Sequence, residues 1–107
     1  MPSTAITTAQ ITTAGNIAYA STGNSAVTYM TLCNYTASNV TANVYVVPSG
    51  STPGNTNIII ANLPLTSYDT YQLYQAAEKL LLANGDSIQV SSSANSSVTT
   101  VVTYTSI

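Results

Sequence analysis

Apart from its tyrosines, this chain has five side chains that readily carry charge or attack an electrophile: Asp69, Glu78, Lys79, Asp86 and the single thiol of Cys33. It has no histidine, so the side chain that most often moves protons near neutral pH is missing. Serine and threonine are abundant, but a hydroxyl becomes a nucleophile only beside a base. Lys79 is the one cationic partner, and no Ser-x-x-Lys spacing leads to it. Asp69 and Asp86 could form a two-carboxylate pair of the glycosidase type. Asp86, however, completes Asn84-Gly85-Asp86, where turn geometry alone accounts for an aspartate. The residues point away from catalysis, and the chain is expected not to be an enzyme.

Metal and cofactor chemistry has as little to work with. A zinc site needs several Cys or His ligands, and no spacing of Asp69, Asp86 and the asparagines resembles a calcium-binding loop. The five glycines are scattered through turns, with no phosphate-cradling motif. No cofactor is expected. Cys33 has no partner for an internal disulfide and reads as a small buried hydrophobe. Three Asn-x-Ser/Thr triplets, at Asn34, Asn39 and Asn95, arise easily in a chain this rich in those residues. Met1-Pro2-Ser3-Thr4 lacks the basic start and apolar run of a secretory leader, so their glycosylation is not expected. What remains for binding is aromatic. Tyr68, Tyr71 and Tyr74 could line a sugar-binding surface, pack in the core, or bury against a neighbouring subunit. Ile6 and Ile11 join them as candidate interface residues.

The elements that would position these residues are strands. Ala5–Thr13 is Thr-rich, with Ile6 and Ile11 on opposite faces of a strand or extended arm. Ile17–Ser21 keeps Ile17 and Tyr19 on one face. Ala26–Tyr35 alternates Val27, Tyr29, Thr31 and Cys33 with Ala26, Thr28, Met30 and Leu32. Both sets contain apolar residues, as in a central strand. Val40–Val47 turns Val40, Ala42, Val44 and Val46 one way and Thr41, Asn43 and Tyr45 the other, the half-buried pattern of a sandwich strand. Pro48 ends it, and residues 48–56 form a long loop dense in turn formers. A short buried strand at Asn57–Ala61 precedes one at Thr66–Leu73. Tyr71, Tyr74 and Glu78 have helical spacing, and a helical turn within 71–79 is open. Leu80–Ala83 and Ser87–Ser93 flank Asn84-Gly85, the strongest hairpin signal in the chain. Val98–Ile107 is the last strand, with Val98, Val102 and Tyr104 together.

About eight or nine short strands at regular turn spacing predict an all-β, single-domain sandwich of antiparallel strands, of jelly-roll or Greek-key type. Residues 1–14 would be the N-terminal strand or arm and 15–107 the sandwich. A length of 107 residues suits one domain. With no Phe or Trp, eight tyrosines must supply all aromatic packing. Charged residues make up 4% of the chain, against roughly 25% in an average soluble domain, and the first 68 residues carry none. One Lys with no Arg or His leaves nothing to neutralise phosphates, so nucleic acid is not an expected partner. Apolar runs such as Val44–Val47 and Leu80–Ala83 are far too short to span a bilayer as a helix, so a membrane is not expected either. A surface of hydroxyls and amides with a net charge of −2 gives weak colloidal protection and favours association.

From Leu32 onward the chain resembles a family of small virion proteins of tailed phages, found especially among phages of marine bacteria and cyanobacteria. The resemblance rests on Leu32-Cys33-Asn34-Tyr35, on Val44-Tyr45-Val46-Val47-Pro48-Ser49-Gly50 and on Asn57-Ile58-Ile59. It continues through Leu80-Leu81-Leu82-Ala83-Asn84-Gly85-Asp86-Ser87-Ile88 and Val101-Val102-Thr103-Tyr104, in that order along the chain. It implies a β-sandwich that decorates or cements a capsid on the particle surface, with the major capsid protein or other virion subunits as partners and a homo-oligomer, a trimer by preference, as its state. A place in the tail or neck is the alternative within the same family. From another class comes a sandwich that displays loop 48–56 to a host-surface glycan.

Overall fold

The computed structural model describes residues 4–73 and 80–106. Over them the chain forms nine strands: β1 Thr4–Ile11, β2 Asn16–Ala20, β3 Ser25–Asn34, β4 Val40–Val47, β5 Ile58–Leu65, β6 Thr70–Leu73, β7 Leu80–Leu82, β8 Ser87–Ser92 and β9 Val98–Ser106. One sheet has the order β1-β9-β3-β6, with β7 also paired to β3, and the other has the order β2-β8-β4-β5. All pairings are antiparallel. Every connection crosses from one sheet to the other except β4 to β5 and β6 to β7. That is the strand order of a jelly roll, with one edge strand split into β6 and β7. The radius of gyration is 13.3 Å, close to the value of about 13 Å expected of one domain near this length.

The core lies between the two sheets. It is built from Ile11, Val27, Met30, Leu32, Val98 and Val102 on one side and Tyr19, Val40, Ala42, Val44, Ile88 and Val90 on the other. Few of these side chains are large, so close packing falls to many β-branched residues of similar size. Tyr19 stacks on Tyr104 across the sheets, with centroids 4.1 Å apart and planes 26° from parallel. The Tyr19 hydroxyl is 2.7 Å from Ser25 Oγ, which lies 2.9 Å from Ser21 Oγ. The polar tip is thereby satisfied where it is buried.

Register shifts in three strand pairs change which residues face the core. In β3 the register shifts between Val27 and Tyr29, so buried positions run Ser25, Ala26 and Val27, then Met30, Leu32 and Asn34. One extra residue reverses the alternation, which is why both faces of this strand look apolar in the sequence. In β2 a shift between Ile17 and Tyr19 leaves Ile17 56% exposed while Tyr19 is buried. The expectation that they share a face is therefore corrected. On β5, Ala61 and Asn62 together oppose Asn43 between the pairs Val44–Ile60 and Ala42–Leu63. Asn62 takes the left-handed conformation, φ 52°, which asparagine tolerates better than most residues, and its N–H donates to Asn43 Oδ1 at 2.8 Å.

Other expectations shift at the same places. The strand expected at Asn57–Ala61 continues past this bulge to Leu65, and Ile59 is 46% exposed. Pro64 is accommodated because β5 is an edge strand. The next strand starts at Thr70 rather than Thr66, after a turn in which Asp69 N–H donates to Thr66 O at 3.0 Å and Tyr68 has φ 59°. Asn84-Gly85 does form a turn, but not a hairpin: β7 pairs with β3 in one sheet and β8 with β2 and β4 in the other. Gly85 has φ +89° and sits hard against Ser49, whose Oγ would lie 2.5 Å from an added Cβ. Its N–H donates to Ser21 O at 2.9 Å, so the turn is held by a neighbouring loop. Of the stretch 71–79 that could hold a helical turn, Tyr71–Leu73 is strand and 74–79 falls outside the described residues.

The segment read as a strand or arm supplies β1, paired to β9 from Thr4–Thr105 to Ile11–Val98. Ile11 is fully buried and fastens this edge to the core. Replacing Ile11 with Ala should therefore cost about 3 kcal/mol of unfolding free energy. The same change at the exposed Ile17 should cost less than about 1 kcal/mol. Urea denaturation of both variants checks this, and equal losses would contradict the bulge in β2. Thr100 is also fully buried, and its Oγ1 has no hydrogen-bond partner among the described residues. Thr100→Val removes an unmet hydroxyl at nearly constant shape and should raise stability by about 1 kcal/mol. A lower Tm for this variant would show that the hydroxyl is satisfied.

Candidate contact face and polar cleft

The outward side of the β1-β9-β3-β6 sheet is a field of hydroxyls, amides and small apolar groups. Adjacent strands bring Thr70, Cys33, Thr99 and Gln10 into one row, and Gln72, Thr31, Val101 and Thr8 into the next. A third row pairs Tyr29 with Thr103, which stands in register with Ile6. The Tyr29 hydroxyl accepts from Gln72 Nε2 at 2.9 Å. No ionisable carboxylate or cation belongs to these rows. Cys33, expected in the core, is half-buried on this outer face and free of any disulfide. The bulge in β3 puts Met30, Leu32 and Asn34 inward, which leaves Cys33 outward.

The sheet ends on one side at β1, which pairs only with β9 among the described residues. This eight-residue edge carries no proline, no charge and no register shift. The other edges are blunted in the ways natural sheets use. β6 and β7 are short, at four and three residues, β5 carries Pro64 and a bulge, and β2 is bulged.

The candidate interface residues separate in space. Tyr68 is 70% exposed at the tip of the 66–69 turn, and its N–H donates to Thr36 O at 3.0 Å. Tyr71 is 41% exposed on β6, in register with Leu32. Tyr74 lies outside the described residues. Ile6 is placed by backbone register alone, and Ile11 belongs to the chain's own core rather than to any surface.

The outward side of the other sheet holds a cleft of about 340 Å³. Its floor is Tyr45, Gln89 and Ser91, brought side by side because β4 and β8 pair Tyr45 with Gln89 and Asn43 with Ser91. One wall is Pro53 from the β4–β5 loop, and the other is Thr13-Ala14-Gly15 from the β1–β2 turn. The loop wall is braced by Asn57, whose Oδ1 accepts from Gly54 N–H at 3.0 Å and whose Nδ2 donates to Thr52 O at 2.9 Å. These bonds clasp Pro53 from both sides. Sequence reasoning turned Tyr45 away from the Val40, Ala42 and Val44 face of β4 and named loop 48–56 as the recognition element only in the alternative, glycan-binding reading. It missed Gln89 and Ser91, because nothing local marks which strand lies beside β4.

Asp69 and Asp86 are each bound into turns at the ends of strands. Asp69 caps its own turn, accepting from Thr70 N–H at 3.0 Å. Asp86 is a clasp: Oδ1 accepts from Ser49 N–H at 2.9 Å and Oδ2 from Ala83 N–H at 3.0 Å. Its backbone oxygen accepts from Ser21 N–H at 2.8 Å. Three loops at one end of the roll meet at this residue. Among the described residues no three His, Cys, Asp or Glu side chains gather as metal ligands. No described helix is long and apolar enough to cross a membrane. Asn34 is fully buried with its amide engaged, so its triplet is closed to a glycosylating enzyme once the chain is folded. No family model, curated protein or solved structure matches the chain.

Asp86→Ala should lower stability by about 1–2 kcal/mol, because two charge-assisted hydrogen bonds to backbone are lost. Amide hydrogen exchange at Ser49 should speed up more than at the β4–β8 ladder. Unchanged protection of Ser49 would show that the loop is held without the carboxylate.

Proposed function

We propose that this chain is a structural subunit of a phage virion, a capsid decoration or cement protein that works by surface contact and forms a homo-oligomer. The observation that carries this reading is the uncharged outer face of the β1-β9-β3-β6 sheet, bordered by the unblunted edge of β1. Neutral hydroxyls and amides are removed from water at lower cost than ions when their hydrogen bonds are met in the contact. An open strand edge can pair with a strand of a neighbouring subunit, which is a hazard for a monomer and useful for an assembly protein. Closed symmetry on a particle favours a ring, with a trimer matching threefold positions on a capsid. The partners are the major capsid protein or neighbouring virion subunits. The sequence resemblance from Leu32 to Tyr104 supports the same assignment. No catalytic step is part of the proposal.

The test combines location and oligomeric state. Cryo-electron microscopy of purified particles should show density for the chain on the capsid surface, and light scattering at micromolar concentration should show an oligomer. Density at the tail or neck would move the subunit within the particle without changing how it acts. A stable monomer absent from purified particles would refute the proposal. Thr103→Lys, on the outer face, should leave stability within about 1 kcal/mol of the parent chain while abolishing particle binding. Particle binding that survives this change would exclude that face as the contact.

A further inference from the structure

We infer that the cleft between Tyr45, Gln89 and Pro53 is a binding site for a neutral saccharide. Its volume of about 340 Å³ falls at the lower end of ligand pockets, roughly 300–1,000 Å³, a size for a short sugar rather than a protein segment. The floor offers unmatched hydrogen-bonding groups. The Tyr45 hydroxyl has no partner among the described residues. Gln89 uses one amide N–H on Ser87 Oγ at 3.2 Å, which leaves its carbonyl oxygen to accept. Ser91 Oγ accepts from Asn43 Nδ2 at 3.2 Å and keeps its own proton to donate. This mix of donors and acceptors suits a ligand whose hydroxyls do both.

Charge narrows the ligand class further. No residue lining the cleft is ionisable near neutral pH, so an anion would find no cation and a cation no carboxylate. Burying either without a partner is costly. A neutral polyol avoids that cost. The apolar patches complete the match, since the half-buried Tyr45 ring with Pro53 and Ala14 can cover the C–H faces of a sugar while the amides take its hydroxyls. The walls are also fixed in advance. Asn57 braces Pro53, and the β4–β8 ladder sets the floor, so little order need be gained on binding.

A second cleft of about 290 Å³, between Thr41, Pro64 and Thr66, provides the contrast. It has no aromatic side chain to cover the C–H face of a sugar, and one of its acceptors, Asn39 Oδ1, is taken by Ser67 N–H at 3.1 Å. Two cavities of similar size thus differ in whether an aromatic ring lines them. The sugar site stands apart from the proposed role in assembly, because it uses the opposite sheet.

The test is titration of the full ¹⁵N-labelled chain with lactose, maltose, cellobiose and N,N′-diacetylchitobiose, with sialyllactose as a charged comparison. At least one neutral disaccharide should give saturable shifts at Gly15, Ser91 and the Gln89 side-chain amide. Gln89→Leu and Tyr45→Ala should each weaken that binding by roughly tenfold or more, since a sugar hydroxyl or ring face loses its partner. Thr66→Ala in the second cleft should leave it unchanged, and matching thermal melts would show that the variants are folded. The inference is overturned if no neutral disaccharide gives saturable shifts with the folded chain. It is equally overturned if the shifts lie elsewhere, if they survive Gln89→Leu, or if sialyllactose binds better than lactose. None of these results bears on particle location, so this inference and the assembly reading fail separately.

Discussion

The Asn34 side chain commits its whole hydrogen-bonding capacity to backbone and one hydroxyl at the far end of β3. Nδ2 donates to Ser38 O at 2.7 Å, Leu65 O at 3.0 Å and Thr66 O at 3.1 Å, so two hydrogens are shared among three carbonyls. Oδ1 accepts from Thr36 N–H at 3.0 Å and Thr36 Oγ1 at 2.8 Å. Asn34 N–H and Tyr35 N–H reach Asp69 O and Ser97 O at 2.9 and 3.1 Å. The β3–β4, β5–β6 and β8–β9 connections all meet here. In a roll whose chain keeps changing sheets, the connections must be fixed in place or the sheets have no reason to lie in one register. A buried amide with every site filled does that, and losing it would strand several backbone carbonyls at once.

The same device recurs wherever a charged chain would use ions. Thr12 N–H donates to Asn16 Oδ1, Thr13 N–H to Asn95 Oδ1, Gly23 N–H to Asn84 Oδ1 and Ser67 N–H to Asn39 Oδ1. Asparagine suits this role because its short amide mimics a backbone turn and carries donor and acceptor together. The abundance of Asn, Ser and Thr is thus not simply a coating. Much of it is scaffold turned toward the loops, while the half-buried outer threonines of β9 and β3 form the outer field. The tyrosines divide likewise. Tyr19 and Tyr104 stack in the interior, whereas Tyr35 and Tyr68 stand at the end of the roll that Asn34 organises. Gln10 Nε2 reaches the Tyr35 hydroxyl at 2.6 Å.

Strands were readable from the chain because each is bounded by local punctuation. Gly15-Asn16, Pro48 and the Thr36–Asn39 turn all fall at the ends of observed strands. Faces were readable only where no residue is inserted: β4 follows its alternation from Val40 to Val44, but β2 and β3 carry bulges that no residue type announces, so Ile17 and Cys33 lie on unexpected sides. Strand partners were not readable at all. Asn84-Gly85 specifies a reversal of direction, and whether the reversed chain stays in its sheet depends on β3 and on Ser21, sixty or so positions earlier. The cleft suffers from the same limit. Tyr45 and Gln89 are far apart in sequence and meet only because β8 lies beside β4. The spacing carries no trace of it, whereas the absence of histidine is visible from composition alone.

A chain with so few charges also gives up a kinetic advantage. Opposite potentials steer partners together and can raise association rates well above the neutral range of about 10⁵–10⁶ M⁻¹s⁻¹. This protein has no potential of that kind to use. In the proposed assembly its contacts would persist through shape, hydroxyl pairs and strand edges, which act on the rate of release. Such contacts would also be largely insensitive to salt, because there are few charges to screen. In such an assembly repetition would compensate for slow encounter. A subunit tethered through its neighbours meets the next site at high effective concentration, so weak neutral contacts add up when many copies share one surface. A sugar site on the opposite sheet would gain from the same arithmetic. A cleft too small to bind one saccharide tightly becomes useful when a symmetric array presents it many times over.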